Sequence, residues 1–365
     1  MASPPLSFTV NVLGQVSLGL LAMTLCLPSI PSWLELFDAT QGKVQLTYSA
    51  YLVTFALAQL IYGPLSDNYG RRRVLLAGLL IGLLGTVLAA MAPTLDLLIL
   101  ARALQGAGTC AGMTIGRAMI QDSFVGPSRT RLMAWIGVVM GLCPPLGTLI
   151  GGQLHVHFGW RSTFVFMAGV IVLAIIAAWR LPHDSKRGAV GRSAAQIAGS
   201  YRELLATPSF LSFCLIAAFS SATFLVFLGA APTVFSALGV APESIGWYIL
   251  FIPGSYIAGN LATTRIIGWL PDRTMMALGQ GLSLTGIVLV LVLSVAGLHH
   301  PLAVAMPLML VGLGHGLADA ADTDRRGRVD SAARGGGSHD GRHAATDDGG
   351  DRQLSERPGG PEPRG

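Results

Sequence analysis

The sequence predicts an all-α polytopic membrane protein, and three observations carry that prediction. Apolar residues make up 52% of the chain and charged ones only 12%, with a mean hydropathy of +0.59. A soluble domain of 365 residues needs a more charged surface. What charge there is collects at one end, where residues 318–365 hold 8 Arg and 10 acidic residues. Before that tail, apolar runs of bilayer-crossing length recur one after another.

Nine runs come near the ~20 residues that a helix needs to cross the hydrocarbon core. They cover about 12–30, 45–63, 74–92, 97–119, 132–154, 162–180, 209–230, 245–264 and 275–296. A tenth starts near Leu302 and stops at Leu317. In lipid a segment must satisfy its own backbone hydrogen bonds, so each run is read as a helix. Proline turns punctuate the series: "PSIP", "MAPTLD", "AAPT" and "HHP". The first run follows "MASPPLSFTVNVLG", which lacks the basic start of a cleaved signal, and reads as a retained span. Cys26, Cys110, Cys143 and Cys214 all fall inside apolar runs, as buried thiols rather than a disulfide framework.

The basic residues report topology. With the N-terminus inside, twelve fall in inside loops: Arg71, Arg72, Arg73, Arg129, Arg131, Arg180, Lys186, Arg187, Arg192, Arg202, Arg265 and Arg273. Outside loops then carry only Lys43 and Arg161, so the N-terminus is placed inside. These residues form no aromatic-laced basic patch, which argues against nucleic acid. The long polar connection after the sixth run divides the sequence into a six-span half at 1–180, a linker at 181–208, a partial half of about four helices at 209–317, and a tail at 318–365. Transporters assembled from two six-span repeats have this layout. "GPLSD" (Gly63–Asp67) and "GWLPD" (Gly268–Asp272) share a Gly-x-Leu-x-Asp spacing at corresponding places, a modest sign of a repeat.

"GPLSDNYGRRRVLLAG" (Gly63–Gly78) is the most informative stretch. Read from its residues, it is a tight inside turn: Gly63 and Gly70 permit unusual backbone angles, and Asp67 sits beside Arg71, Arg72 and Arg73. In order and position it resembles the loop motif Gly-x-Leu-x-Asp-Arg-x-Gly-Arg-Arg of the major facilitator superfamily, with Asn68 in place of an arginine. "LARALQGAG" (Leu100–Gly108) resembles that family's Arg-x-x-Gln-Gly pattern through Arg102, Gln105 and Gly106. "GTLIGG" (Gly147–Gly152) resembles the antiporter motif Gly-Pro-x-x-Gly-Gly, with Thr148 replacing proline and Gly147, Gly151 and Gly152 retained. "FGWRSTF" (Phe158–Phe164) is similar to the start of the sixth span, and "LPSIP" (Leu27–Pro31) to the end of the first in the bicyclomycin/chloramphenicol-resistance branch.

The resemblance implies a major-facilitator helical bundle that exports drugs or other small molecules by alternating access, with protons as the coupling ion. It implies that Arg102, Gln105 and Asp122 serve proton coupling, the alternative for Arg102 being to snorkel to the headgroups. It implies an inner gate of Gly63, Asp67, Gly70, Arg71, Arg72 and Arg117, with Asp122 beside it. Gly108, Gly112 and Gly116, and the pairs Gly137/Gly141 and Gly147/Gly151, recur at fours, which suits tight packing and helix movement equally. Pro144 and Pro145 predict a kink in the fifth span. Thr24, Ser220 and Phe224 are candidates for a substrate cavity, and packing explains the aromatics of that seventh span as well. No metal pattern, nucleotide loop or catalytic grouping stands out; neither cofactor nor metal is expected, and an enzyme is disfavoured.

Two features cut across the resemblance. Related drug:proton antiporters have an acid in the first span where this sequence has Thr24, and no Asp or Glu lies deep in the first six spans. Either Asp122 or Glu35 binds the proton, or the protein is a proton-independent facilitator. The tail from Ala318 begins within a span, lacks Ile, Phe, Met, Tyr, Trp, Cys, Lys and Asn, and suggests a reading-frame shift near codon 318. The transporter would then be truncated at its C-terminus, with a non-transporting remnant or scaffold as the alternative reading. The expected setting is the bacterial inner membrane, with the protein acting as a monomer on a small-molecule substrate.

Overall fold

All ten apolar runs are helical, and the places where the helices depart from the runs are set by proline, glycine and hydroxyl caps. The structure, a computed structural model, describes residues 6–124, 127–181, 208–266 and 272–317, with isolated positions between 199 and 206. Most of the 181–208 linker, most of the Gly268–Asp272 stretch, and the 318–365 tail with its frame-shift expectation lie outside the described residues.

The helices are α1 (Leu6–Thr24), α2 (Gln41–Tyr69), α3 (Arg71–Met91), α4 (Leu95–Ser123), α5 (Pro127–Phe158) and α6 (Arg161–Trp179). A second group follows: α7 (Pro208–Ala237), α8 (Phe251–Ile266), α9 (Asp272–Val295) and α10 (Pro301–Leu317). α1 ends earlier than its apolar run because Pro28 has no N–H to offer, and the backbone passes into a 3-10 turn at Leu27–Ser29. α2 starts where the Thr40 hydroxyl accepts from Lys43 N at 3.4 Å. It then runs through Gly63 and Pro64 to Tyr69, so Gly63 is a helical residue rather than part of the turn. Gly70 alone makes the turn, at φ 97°, a backbone angle that side chains with a Cβ resist. The run at 245–264 is broken at Leu250 into Ile245–Ile249 and α8, because Pro253 cannot donate to the Ile249 carbonyl. α5 continues through Pro144 and Pro145.

α4 is the central post of the first group, packed by α1, α2 and α3. Backbones meet there: a Cβ on Gly108 would strike Gly82 of α3, one on Gly112 the Gln15 carbonyl of α1, and one on Gly106 the Tyr51 carbonyl of α2. The glycines at intervals of four therefore serve different neighbours. On α5, Gly147 meets Thr24 and Gly151 meets the Leu25 carbonyl, whereas Gly137 and Gly141 have open space around them.

α10 is built the same way. Gly312 and Gly316 lie against the backbone of α8, and Gly314 lies against Gly279 and Ser283 of α9. Large apolar side chains cover the outside of the bundle, including Leu57 and Ile61 of α2, Leu173 of α6 and Leu291 of α9. Among the described residues, six helical segments are long and apolar enough to cross a membrane: Leu6–Ser29, Gln41–Tyr69, Arg71–Met91, Arg131–Phe158, Arg161–Trp179 and Ala277–Val295. α4 is not among them, and its 29 residues carry two arginines in a position that protein, not lipid, surrounds.

The bundle has two ends, one carrying the Gly70–Arg71 turn and the other carrying Trp33. At the Trp33 end the two groups of helices meet. Gln45 Nε2 donates to Gly229 O at 2.8 Å, and Tyr48 Oη donates to Leu225 O at 3.2 Å, joining α2 to α7. Gly152 faces Pro242 and Glu243, and Gly246 faces Leu149, joining α5 to the segment before α8.

Candidate functional site

Two polar constellations stand out, one at mid-bundle and one at the Arg71 end. The first grows from the early end of α1. The last carbonyls of a helix have no backbone donor above them, and they are the negative pole of its dipole. Ala22 and Met23 sit in that position, just before the proline-containing turn. Arg102 of α4 reaches them: Nη1 donates to Ala22 O at 2.8 Å and Nη2 to Met23 O at 3.5 Å. Nη1 also donates to Oε1 of Gln105, one turn along α4. The guanidinium lies over the Tyr51 ring, 4.3 Å from its centre.

Arg102 is fully buried. It does not snorkel, and none of the ion pairs formed among the described residues involves it. Burying a lone cation costs several kcal/mol. Helix-terminal carbonyls offset up to ~2 kcal/mol of such a cost and a desolvated aromatic face ~2 kcal/mol. The surrounding hydrogen bonds are continuous. Gln105 Nε2 donates to Thr86 Oγ1 at 2.9 Å, and Tyr51 Oη bonds Gly19 O at 2.7 Å and Thr109 Oγ1 at 2.8 Å. The network links α1, α2, α3 and α4 through the residues of the Arg-x-x-Gln pattern.

Sequence patterns do not single out Tyr51, Thr86 or Thr109. A signal exists for Thr109, which stands four residues after Gln105 on the same helix face, and none for the other two. Thr24 is also buried, but its hydroxyl turns back to Leu20 O at 2.8 Å and its Cβ side abuts Gly147, so it sits at a helix crossing.

The second constellation is the Arg71 cluster. Its Nη1 pairs with Asp67 Oδ1 at 2.6 Å and bonds Ser66 Oγ at 2.6 Å, while Nε donates to Asp122 Oδ2 at 3.0 Å. One guanidinium thus ties the end of α2 to the end of α4. The carboxylates are about half exposed and the arginine 18%, a charge cluster in partial contact with solvent. Gly70 sets the register that lets Arg71 reach back over the α2 terminus. Arg72 is buried and lies over the Trp179 ring at 5.7 Å. Arg117 does not join the cluster: Nη2 contacts Met140 Sδ of α5 at 2.8 Å, further along α4 from its end.

The remaining sequence candidates divide in the same manner. Gly147 and Gly151 pack on the end of α1, and Gly152 faces the second group of helices. Phe224 of α7 is partly buried against the cluster of Ile252, Leu308 and Val311. The Ser220 side chain lies outside the described residues. At the Trp33 end, sequence reading misses a plug of rings: Trp33 is fully buried and lies 5.8 Å from Trp160 and 6.4 Å from Phe164. Ser29 Oγ and His155 Nδ1 stand 3.1 Å apart beside it.

Comparison with known proteins places this arrangement. The family model described as Major Facilitator Superfamily matches residues 13–323. The chain is 28% identical over 304 residues to a chloramphenicol resistance protein of Pseudomonas aeruginosa, covering 80% of this chain and 70% of that one. It is 28% identical over 295 residues to the multidrug transporter MdfA of Edwardsiella piscicida, covering 80% and 72%. Multidrug resistance protein D of Escherichia coli (strain K12) is 34% identical over 152 residues, 42% of this chain and 39% of that one. In fold the chain is similar to a D-xylose-proton symporter, with a TM-score of 0.65 at 12% identity over 86% of this chain and 80% of that one. A bacterial homologue of the lysosomal transporter Spinster, in an inward-facing and unoccupied conformation, gives 0.64 at 15% identity over 88% and 75%. With a family match across most of its length and an all-helical bundle of that fold, the chain belongs to the major facilitator superfamily: it is a multi-pass membrane transporter of small molecules and not an enzyme.

Proposed function

We propose that this chain exports drugs or drug-like small molecules across the bacterial inner membrane by alternating access, in exchange for protons, as a monomer with its N-terminus in the cytoplasm. The relatives named for chloramphenicol and multidrug resistance support the substrate class. The positive-inside count supports the orientation and makes the Arg71 end cytoplasmic. The observation that carries the reading is where the two groups of helices are joined and where the charged turn lies. The two groups of helices meet at the Trp33 end through Gln45–Gly229, Tyr48–Leu225 and Gly152–Pro242. At the other end Arg71 ties α2 to α4 within the first group. In this scheme Asp67, Arg71 and Asp122 are a clasp at the cytoplasmic end that opens and closes as the carrier turns over.

In this scheme Arg102 and Gln105 hold the broken end of α1 against α4, so movement of α1 must break or carry the buried network. Gly147 and Gly151 let α5 ride on the same turn. Asp122 is committed to Arg71, which makes it a gate residue better than a free proton carrier.

A second reading, a proton-independent facilitator, is favoured by one observation: no carboxylate is buried among the described residues. Efflux of ethidium from cells expressing the full chain separates the readings. Export that collapses with an uncoupler supports exchange for protons, while export indifferent to the uncoupler favours the facilitator. No export above empty-vector cells, with the protein present in the membrane, overturns transport and leaves the remnant reading.

A further inference from the structure

We propose that Ser29 and His155 form an acid-released latch at the Trp33 end: the neutral imidazole helps keep that end shut, and an imidazolium favours its opening. This rests on the alternating access and orientation argued above, in which the Trp33 end faces outward. It does not depend on export being coupled to protons.

The two groups of helices converge on one stretch of α5. The 3-10 turn Leu27–Ser29 at the end of α1 packs on α5, and so does the 3-10 turn Pro242–Ser244 that precedes α8. Gly152 of α5 lies against the backbone of Pro242 and Glu243. His155 follows it by three residues on the same helix face, and its Nδ1 stands 3.1 Å from Ser29 Oγ. Ser29 is fully buried, and His155 is the one hydrogen-bond partner of its hydroxyl among the described residues. A buried hydroxyl needs an acceptor for its proton, so Ser29 Oγ donates, Nδ1 accepts, and the neutral ring carries its hydrogen on Nε2. The ring itself is half-buried, which leaves it within reach of water.

That arrangement sets the sign of the response. An added proton goes to Nδ1, which turns from acceptor to donor and leaves the buried hydroxyl with no place for its own proton. Closure also takes part of the ring out of water, which costs more for an imidazolium than for an imidazole. Both effects disfavour the charged ring while the end is shut, and both are relieved when the second group withdraws and water enters. The charged and titratable groups on the elements packed around the ring are Cys26 beside the first turn, Arg102 on α4, Arg161 at the start of α6, Glu243 and Tyr248 in the second group, and His157 on α5 itself. Of these, Glu243 acts on the imidazole electrostatically, yet the two form no ion pair. Attraction between half-buried groups out of contact is weak, so Glu243 softens the response without reversing it. Closure is thus favoured in alkali and weakened as the pH falls through the imidazole range.

The test uses the full chain in lipid nanodiscs, with its four cysteines replaced by alanine. Spin labels go on Phe158→Cys and Ala241→Cys, exposed positions on opposite sides of the junction, and pulsed EPR reads the distance between them. Lowering the pH from about 8 to about 5 is expected to raise the ratio of long to short distances by about fivefold, the change that one stranded buried hydroxyl produces. His155→Gln is expected to remove the response, and Glu243→Gln to enlarge it. A response that persists in His155→Gln overturns the latch and leaves alternating access standing, as does a response of opposite sign, with the labels drawing together in acid. A single distance at every pH, with and without ethidium, overturns alternating access itself. Should His155→Gln fail to fold, the midpoint in the chain with His155 intact decides: one between about pH 5 and 7 supports the latch, and one near the carboxylate range of about 4 overturns it.

Discussion

α4 and α10 are built on one plan and used differently. Each is the fourth helix of its group, and each is wedged between the second and third helices through glycines whose missing side chains let backbones touch. Around α4 the space that remains is filled by long-range polar bonds: Arg102 to α1, Gln105 to Thr86, and Thr109 to Tyr51. Asn11 and Gln15 add bonds from α1 to the Ala177 and Ala174 carbonyls of α6, at 2.7 and 2.8 Å. Around α10 the hydroxyls turn inward on their own helices: Ser255 to Ile252 and Thr263 to Gly259, both at 2.9 Å. Ser283 reaches α10 itself, at Val311 O, with a length of 3.4 Å. Directional bonds across helices fix one arrangement, whereas apolar and glycine contacts tolerate sliding. The first group is thus pinned by directional bonds across its helices, and in the second the helix backbones themselves meet.

The strongest way to break this comparison is to add side chains where the backbones touch. Gly108→Leu and Gly314→Leu should each abolish recovery of monodisperse protein, since a Cβ there meets backbone of the neighbouring helix. Gly281→Leu, with open space around it, should be recovered like the unaltered chain. Equal recovery of all three on size-exclusion chromatography would refute glycine-mediated packing in both groups.

Next comes Arg102. Arg102→Ala leaves the Ala22 carbonyl without its guanidinium donor and the Met23 carbonyl with only the Cys26 thiol, and hydrogen bonds to charged groups contribute ~1.5–3 kcal/mol each. A lowered melting temperature and efflux reduced to background are expected. Arg102→Lys should not restore efflux, because an ammonium cannot reproduce the planar fork that reaches Ala22, Met23 and Gln105 together. Full activity in the Lys variant would reduce Arg102 to a bare charge.

Asp67→Asn should separate stability from transport. The pair with Arg71 is partly solvated, and such pairs contribute ~0–1 kcal/mol, so melting should shift little. Efflux should nevertheless fall by about tenfold, the equivalent of ~1.4 kcal/mol at the gate. Unchanged efflux would remove this cluster from the gating mechanism. The smallest effect belongs to Asp96→Asn, which breaks the exposed 2.8 Å pair with Lys43. Both melting temperature and efflux should stay within error, and a loss in either would mark that pair as part of the closure at the Trp33 end.

The sites differ in how far the sequence exposes them. Arg102 and Gln105 are three residues apart on one helix, so their meeting is readable from spacing alone. Their partners are not: the acceptors are carbonyls of Ala22 and Met23, eighty residues away, and main-chain atoms have no sequence signature. Arg117 shows the opposite error. Its charge and its place on α4 suggest the Asp67 cluster, yet its side chain runs to Met140 because α5 passes there. Gly137 and Gly141 keep the spacing of packing glycines with open space around them among the described residues, for spacing says which residues share a face but not what covers it.

Hydropathy marks the protein as a set of membrane helices and says where along the chain they lie. Hydropathy length, backbone self-satisfaction and loop charge are local properties, legible one segment at a time. Gly70 belonged to that legible part, because a φ of 97° is a demand that one residue meets alone. Tertiary packing sets the Arg102 guanidinium against the carbonyls of a helix end instead of an acid. Only it decided that α2 and α5 meet the second group at the Trp33 end, and that the Ser29 hydroxyl meets His155 there. Those outcomes depend on which helix faces come together, and contact between distant segments is fixed by packing that no single segment encodes.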